Sequence, residues 1–199
     1  MRLLAFSDLH RRVAMAEDIA ARSGQADLLI GAGDFGVNGE GHADTLEVFR
    51  QTGKPMLIVA GNHDSSDAIR AFCADWPDAI VLDGEAVEIA GERFFGLGRE
   101  TPQSHLEAWN ESRTEEKAAA LLAAAPAYDI LVTHSPPLGY ADRKRDGTLG
   151  GSRAVRDAVV ARQPRLHIFG HVHFSFGAEA RLGAARLLNL GPEGTWIDV

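Results

Sequence analysis

Five short segments of the sequence end an apolar run with side chains that can bind metal ions or carry protons. They are Phe6-Ser7-Asp8-Leu9-His10, Gly31-Ala32-Gly33-Asp34, Gly61-Asn62-His63-Asp64, Thr133-His134-Ser135 and Gly170-His171-Val172-His173. Carboxylate and amide oxygens mixed with imidazole nitrogens suit Mn²⁺, Fe or Zn²⁺ better than Ca²⁺ or Mg²⁺ alone. No segment contains cysteine, which argues against a structural zinc site. Because a carboxylate can bridge two ions about 3.5–4 Å apart, these residue types suit a pair of metals.

Each segment taken singly has a simpler interpretation. An aspartate before a turn is more often a cap or part of an Asx turn, and a lone histidine after a strand is more often hydrogen-bonded than metal-bound. Alternate residues just past a strand can point the same way, so Asp8 and His10 can share one ion. Five strand ends that all carry oxygen or imidazole groups favour a metal site.

Strands and helices alternate through the first part of the chain. Hydrophobic periodicity and turn residues predict strands at 3–7, 26–31 and 55–60, followed by helices at 13–22, 44–51 and 65–74. Strands separated by helices indicate βαβ units and a parallel sheet. Open α/β sheets bind ligands beyond the carboxyl ends of their strands, which is where the five segments fall.

The second half of the chain predicts further strands. Short strands at 79–82, 86–89 and 93–96, separated by Asp83-Gly84 and Gly91-Glu92, indicate an antiparallel meander. We expect an irregular loop at 101–110, helices at 114–125 and 152–162, strands at 130–133 and 166–169, and two or three short strands within 176–199. The prediction is one domain, residues 1–199, with mixed sheets.

Composition narrows the class of protein. No stretch approaches the roughly 18 apolar residues of a membrane span, and the N-terminus favours a first strand over a signal peptide. The single cysteine, Cys73, excludes internal disulfides and fits a reducing cytoplasm. A net charge of −8 argues against bulk nucleic-acid binding. The basic segment 143–165 is either a solvated helix face or, at Arg143-Lys144-Arg145, a loop that leans over an anionic substrate.

Together the motifs resemble the calcineurin-like metallophosphoesterase superfamily. The resemblance rests on Asp8-x-His10, Gly33-Asp34, Gly61-Asn62-His63-Asp64, His134 and Gly170-His171-x-His173, which occur in the family's order between residues 8 and 173. The stretch from Ser135-Pro136-Pro137 through Gly150-Gly151-Ser152 also resembles small, stand-alone prokaryotic members. The resemblance implies an α/β fold with mixed sheets, arranged as a four-layer αββα sandwich.

The resemblance also implies a role for each motif residue. Asp8, His10 and His173 would hold one ion; Asn62, His134 and His171 would hold the other; and Asp34 would bridge the two. A hydroxide shared by the ions would attack phosphorus, and His63 would protonate the leaving alkoxide as general acid. Asp64 would either orient the His63 ring or serve only as a helix N-terminal residue. Mn²⁺ is the expected metal, with Fe or Zn²⁺ as alternatives.

Several polar residues lie outside the motifs. Arg11 and Arg99 are candidates to bind phosphate oxygens. His167 alternates with apolar residues in a strand and is expected to be structural, whereas His42 and His105 are expected in solvated loops.

The predicted activity is hydrolysis of a small phosphoester, with a phosphodiester preferred. A phosphomonoesterase, including a protein phosphatase, is the alternative among enzymes. The alternative from another class is a metal-binding interaction scaffold without catalysis. His63 separates these hypotheses, because a scaffold has no reason to keep an acid beside the metals.

Overall fold

Buried apolar strands alternate with helices through the first eighty residues of the computed structural model, which describes residues 1–199. The elements are β1 (Arg2–Phe6), α1 (Val13–Arg22), β2 (Leu28–Ala32), α2 (His42–Arg50), β3 (Met56–Val59), α3 (Ser66–Cys73) and β4 (Ala79–Val81). Strands β1 to β4 pair in parallel as sequence neighbours, since each helix returns the chain to the same end of the sheet. The last strand, β11 (Thr195–Asp198), pairs antiparallel with β1.

A second mixed sheet contains the remaining six strands. Its elements are β5 (Glu85–Ile89), β6 (Glu92–Leu97), α4 (Glu115–Ala124), β7 (Ile130–Thr133), α5 (Arg153–Arg162), β8 (Leu166–Phe169), β9 (Glu179–Leu182) and β10 (Ala185–Asn189). The strand order is β5-β6-β7-β8-β10-β9. The four central strands run parallel, and the edge strands β5 and β9 are antiparallel to their neighbours.

Three apolar clusters define the layers. Leu3 and Ala5 of β1 face the space between the sheets, where they join residues of the second sheet such as Ile130. The alternate residues Leu4 and Phe6 face outward and pack among residues of α1, α2 and α3, as the two-residue period of a strand requires. Helices α4 and α5 cover the outer face of the second sheet. The predicted α/β fold with an αββα sandwich is confirmed.

The predicted three-stranded meander is only partly correct. β5 and β6 form an antiparallel hairpin, whereas β4 pairs in parallel with β3 in the first sheet. Asp83-Gly84 is therefore the link between the two sheets and not a hairpin turn. A run as short as Ala79-Ile80-Val81 fits either pairing by pattern alone, and Leu82 then joins the apolar cluster between the sheets.

The sheet topology places the site. Strands β1, β2, β3, β7 and β8 are parallel within their sheets, and each is followed by one of the five polar segments. No helix combines the length and the apolar character that a membrane span requires.

Candidate metal centre

Four side chains from three of the polar segments form a first ligand cluster. Asp8, His10, Asp34 and His173 offer ligand atoms that lie within 4.8 Å of one another. His173 Nε2 is 3.2 Å from Asp8 Oδ1 and 3.2 Å from His10 Nε2. Two imidazole nitrogens thus face each other beside a buried carboxylate. A cation stabilises this arrangement, because it can accept the lone pairs of both nitrogens.

Three side chains form a second ligand cluster: two come from the remaining two segments, and the third, His171, comes from the segment that also holds His173. Asn62 Oδ1 lies 3.1 Å from His134 Nε2 and 3.1 Å from His171 Nδ1. His134 is fully buried, and its Nδ1 donates to the Ala32 carbonyl at 2.8 Å. Because that contact keeps a proton on Nδ1, Nε2 is the nitrogen that can give up its proton and bind a metal ion.

Asp34 is a member of the first cluster that also reaches the second. Its Oδ2 is 3.5 Å from His10 Nε2 of the first cluster, and its Oδ1 is 3.5 Å from His134 Nε2 of the second. Oδ1 also accepts a hydrogen bond from the His63 backbone N–H at 2.8 Å. One carboxylate thus presents an oxygen to each cluster, which is the geometry of a bridging ligand.

The distances between ligand atoms fit metal coordination. Metal–ligand bonds of about 2.1 Å at octahedral or tetrahedral angles separate neighbouring ligand atoms by roughly 3.0–3.4 Å. Six distances between these atoms are 3.1–3.5 Å, whereas His10 Nε2 and Asp8 Oδ1 lie 3.9 Å apart. Together with the mixed oxygen and nitrogen ligands, these distances support metal binding by the residues that the sequence predicted.

The backbone at the ligands is strained. Asp8 (φ 57°), His10 (φ 46°), Asp34 (φ 58°) and His171 (φ 68°) all occupy the left-handed region, which costs non-glycine residues about 1–3 kcal/mol each. Glycines allow the loops to approach closely. A Cβ at Gly61 would overlap Asp34, and a Cβ at Gly170 would overlap Asp8. Glycines and strained residues thus occur at the positions that aim the ligand side chains.

Two buried carboxylates control the electrostatics. Burial alone would raise the pKa of Asp34, but His134 and His10 hold it below its usual range. Burial alone would lower the pKa of His134, but Asp34 and Asp8 raise it to about 10. The hydrogen bond with Asp8 raises the pKa of His173. The buried carboxylates therefore stabilise a positive charge beside them. That charge can be a protonated histidine or a bound metal ion.

His63 stands beside both clusters without joining either. Its ring stacks on Trp109 with centroids 4.6 Å apart and packs edge-on against His10 at 5.0 Å. Its Nδ1 accepts a hydrogen bond from the Asn38 backbone N–H at 3.2 Å. Burial lowers the pKa of His63. The neutral ring therefore carries its proton on Nε2.

Asp64 does not orient His63, which corrects the first of the two predictions for it. Its carboxylate accepts hydrogen bonds from the backbone N–H groups of Asp34, Gly36 and Gly61, each at 2.8 Å. Asp64 directly precedes Ser65, the N-cap of α3, so it lies just before the helix, as the second prediction has it, but its carboxylate binds the loops. Burial and the charge of Asp34 raise the pKa of Asp64 to about 7. Asp64 holds together the two loops that carry Asp34 and Asn62.

The two arginines that were predicted to bind phosphate oxygens, Arg11 and Arg99, are paired with carboxylates away from the cavity. Arg11 pairs with Asp44 at 2.9 Å, and Arg99 pairs with Asp83 and Glu111. Neither arginine lines the cavity above the ligand clusters, which has a volume of about 660 Å³. Within the basic segment, Lys144 and Arg145 do line that cavity, as one of the two interpretations of the segment expects.

The three histidines outside the motifs have separate environments. His167 is fully buried in β8, as expected for a structural residue. His105 lies in an exposed loop but lines the cavity. His42 begins α2 and packs edge-on against Phe72, so the expectation of a solvated loop was wrong for this residue. In the first turn of α2, Thr45 Oγ1 donates to the His42 carbonyl at 3.1 Å.

Two further residues at the site carry no signal in the sequence. Asn110 Oδ1 accepts a hydrogen bond from Asn62 Nδ2 at 2.9 Å, and Glu100 lies 3.6 Å from His171. Burial would raise the pKa of Glu100, but the nearby His171 ring and hydrogen bonds from Ser104 and Asn110 lower it to about 2. Both residues belong to the irregular 99–113 loop, whose path follows from tertiary contacts.

Comparison with known proteins points to the family that the sequence motifs resemble. The calcineurin-like phosphoesterase profile matches residues 1–175. A UPF0046 protein of Caenorhabditis elegans is 30% identical over 196 residues, covering 89% of this chain and 65% of its own length. Human metallophosphoesterase domain-containing protein 1 is 27% identical, over 90% of this chain and 62% of its own. This chain thus spans less than two thirds of either relative.

The fold has close counterparts among solved structures. A Thermus thermophilus protein superposes with a TM-score of 0.76 at 17% identity, over 96% of this chain and 90% of that one. This likeness concerns the fold alone. Since the family profile covers most of the chain, the chain belongs to the calcineurin-like phosphoesterases, a superfamily of metal-dependent hydrolases, and Asp8, His10, Asp34 and His173 form a candidate metal-binding cluster in it.

Proposed function

We propose that this protein hydrolyses small phosphodiesters with two divalent metal ions. The observation that carries the proposal is the position of Asp34, which offers one oxygen to each ligand cluster at the base of an open cavity. Asp8, His10 and His173 would hold the first ion; Asn62, His134 and His171 would hold the second; and Asp34 would bridge them. Mn²⁺ is the proposed metal, with Fe or Zn²⁺ as alternatives.

The ions would supply two effects when bound. They would lower the pKa of a water ligand towards about 7 and neutralise charge on the phosphate oxygens. The chain's own residues hold the ligand atoms in place. The His134 imidazole is fixed by the Ala32 carbonyl, and the loops carrying Asp34 and Asn62 are joined by Asp64. This rigidity supports catalysis, because a pre-organised site need not rearrange as charge develops.

His63 is the proposed general acid. It lines the cavity, and the proton on its Nε2 can be directed at a leaving-group oxygen. Proton transfer from Nε2 requires the imidazolium form, in which Nδ1 is protonated as well. The Asn38 N–H donates to Nδ1 and opposes that protonation, so proton transfer requires the hydrogen bond between Asn38 and Nδ1 to open. His63 therefore has two distinguishable ways to act: by proton transfer, or by a hydrogen bond from Nε2.

The charge of the cavity bears on the choice between diester and monoester. With Arg11 and Arg99 committed to carboxylates, the cations lining the cavity are Lys144 and Arg145 beside the acidic Glu100 and Glu107. A diester carries one negative charge and needs less fixed positive charge than a monoester dianion. Lys144 and Arg145 nevertheless give the monoesterase alternative its best support.

A kinetic comparison tests the proposal. The Mn²⁺-loaded protein should hydrolyse bis(p-nitrophenyl) phosphate with a higher kcat/KM than p-nitrophenyl phosphate. A tenfold preference for the monoester, about 1.4 kcal/mol, would make the monoesterase the better assignment. Metal-loaded protein that cleaves no phosphoester, cyclic nucleotide or nucleotide anhydride would favour the scaffold alternative.

A further inference from the structure

A buried carboxylate, Glu100, reaches two side chains of the second ligand cluster. Its Oε1 lies 3.6 Å from His171 Nε2, the ring nitrogen on the far side from Asn62. Its Oε2 accepts a hydrogen bond from Asn110 Nδ2 at 2.9 Å. Asn110 Oδ1 in turn accepts from Asn62 Nδ2 at 2.9 Å. Glu100 is thus joined to His171 directly and to Asn62 through one amide.

These contacts determine which atoms face the second metal position. The Asn62 amide has one oxygen and one NH₂ group, and its NH₂ is taken by Asn110. Its Oδ1 is therefore turned towards His134 and His171. An ionised Glu100 favours a proton on His171 Nε2, which leaves Nδ1 free as a ligand atom.

Glu100 is itself fixed from both sides. Its backbone N–H donates to the Glu111 carbonyl at 3.0 Å, and its carbonyl accepts from the Arg113 N–H at 2.9 Å. Ser104 donates to the carboxylate from its backbone N–H and its hydroxyl. A buried charge requires such partners, and these place the carboxylate at a defined distance from the metal ligands.

The loop that carries Glu100 has other anchors, so the carboxylate is not needed to close it. Arg99 pairs with Asp83 and Glu111, and Glu111 accepts hydrogen bonds from Ser66 at the start of α3. The Glu111 N–H also donates to the Asn62 carbonyl at 3.0 Å. Because the carboxylate also binds Ser104 and Asn110 of the same loop, its effect on metal binding is tested with a readout that separates the two metal sites.

We propose that Glu100 is a positioning residue for the second metal ion, acting on His171 directly and on Asn62 through Asn110. The proposal rests on the two-metal function proposed above. It makes the two sites unequal, because the Glu100 carboxylate has its hydrogen bonds and ion pair with Ser104, Asn110 and His171 and none with Asp8, His10 or His173. Binding of the first ion should therefore not depend on Glu100. Carboxylates that orient a metal-binding histidine typically contribute 10- to 100-fold in metal affinity.

Titration with Mn²⁺ tests this dependence without any activity assay. The apoprotein is titrated by calorimetry, and the two affinity classes are assigned with His171→Ala, which removes a second-cluster ligand, and His173→Ala, which removes a first-cluster ligand. Glu100→Gln should weaken the class lost in His171→Ala by about 10- to 100-fold and leave the other class within about twofold. Glu107→Gln is the matched control, since Glu107 lines the same cavity but pairs only with the exposed His105.

A second variant keeps the proposal testable if Glu100→Gln fails to fold. Asn110→Ala breaks the connection to Asn62 and leaves Glu100 beside His171, so it should weaken the same class by a smaller factor. Equal weakening of both classes, or Glu100→Gln binding Mn²⁺ like Glu107→Gln, would overturn the proposal. So would a wild-type protein with a single class of site. Selective weakening in a protein that hydrolyses no phosphoester would uphold the role of Glu100 and reject the proposed activity.

Discussion

The ring of Trp109 stacks on the ring of His63, with centroids 4.6 Å apart and planes inclined by 23°. The Asn38 N–H holds His63 from another side. The imidazole is therefore fixed by a flat apolar surface and one hydrogen bond, and neither contact involves a metal ligand. The ring also packs edge-on against His10 at 5.0 Å, but it supplies no atom to either ligand cluster, so metal content is measured beside activity in the catalytic test.

His63→Ala should lose about 10²–10⁴-fold in kcat on a diester with a poor alkoxide leaving group, because a well-placed imidazole contributes that much by proton transfer. The loss should be smaller with p-nitrophenolate, which leaves readily as an anion. Steady-state kinetics on both substrates measure the difference. His63→Gln keeps a hydrogen-bond donor but cannot transfer a proton, so it serves as the control.

An equal loss on both substrates, or substantial rescue by His63→Gln, would assign His63 to hydrogen bonding of the phosphoryl group. Loss of a metal ion from His63→Ala would make it a ligand.

Gly61→Ala should weaken metal binding and lower the free energy of unfolding by about 1–3 kcal/mol, because the added Cβ would overlap the Asp34 carboxylate and backbone nitrogen. Gly24→Ala is the matched control: nothing lies within 4 Å of a Cβ there. Urea unfolding and Mn²⁺ titration of the two variants measure the effect. If both variants bind Mn²⁺ as the wild type does, the close approach of Gly61 does not position Asp34.

His167 should make the folded state sensitive to acid. Thr133 Oγ1 donates to the Ser135 carbonyl, so His167 Nε2 donates to Thr133 Oγ1 at 2.8 Å, and the buried Nδ1 has no partner. Burial lowers the pKa of His167 to about 3. Between that value and the unfolded value of about 6.5, only the unfolded chain takes up the proton. The contribution of neutral His167 to the free energy of unfolding is therefore present above about pH 6.5 and declines as the pH falls. At pH 5 the loss is about 2 kcal/mol.

The comparison that isolates this effect uses His167→Gln, which keeps a donor for Thr133 but does not titrate. Urea unfolding at pH 7 and pH 5 should show a smaller acid-induced loss in His167→Gln than in the wild type, by about 2 kcal/mol. The exposed His105→Gln should behave like the wild type. Identical losses in all three proteins would contradict the burial argument.

Asp64→Asn should destabilise the fold by about 2–4 kcal/mol, since an amide NH₂ would face backbone N–H groups that now donate to a carboxylate. Because Asp64 braces loops and does not contact the His63 ring, the variant should lose activity to a similar extent on good and poor leaving groups. Thermal unfolding and the same pair of substrates check both points. A loss confined to the poor leaving group would restore Asp64 as a partner of His63.

The sequence predicted the elements whose patterns are local. The bounds of the helix Val13–Arg22 and of the strands Ile130–Thr133 and Leu166–Phe169 agree with prediction, because each is a periodic or wholly apolar run with clear ends. The pairing of β4 with β3 could not be predicted, since three apolar residues carry no information about their neighbours. In the site, the candidate ligands follow strands directly and could be predicted, whereas the residues that reach the site by a loop could not.

The 99–113 loop shows why part of the site was missed. Glu100, Trp109 and Asn110 have no periodic pattern and approach the site because Arg99 and Glu111 bind side chains distant in sequence. Arg99 was predicted to bind phosphate, but a charged residue near a motif does not reveal its partner. The direction of the Asp64 side chain was equally hidden, since its partners Asp34 and Gly36 lie 30 and 28 residues away in sequence.

The proposed function depends on the bridging position of Asp34. The most direct test of that position is the metal content of the protein. Elemental analysis of protein purified from cells grown with Mn²⁺ should find close to two transition-metal ions per chain. Asp34→Asn should weaken binding at both sites together, because it removes the anionic charge between two cations. One ion or none in active wild-type protein, or an Asp34→Asn variant that loses only one of two ions, would contradict a bridging Asp34.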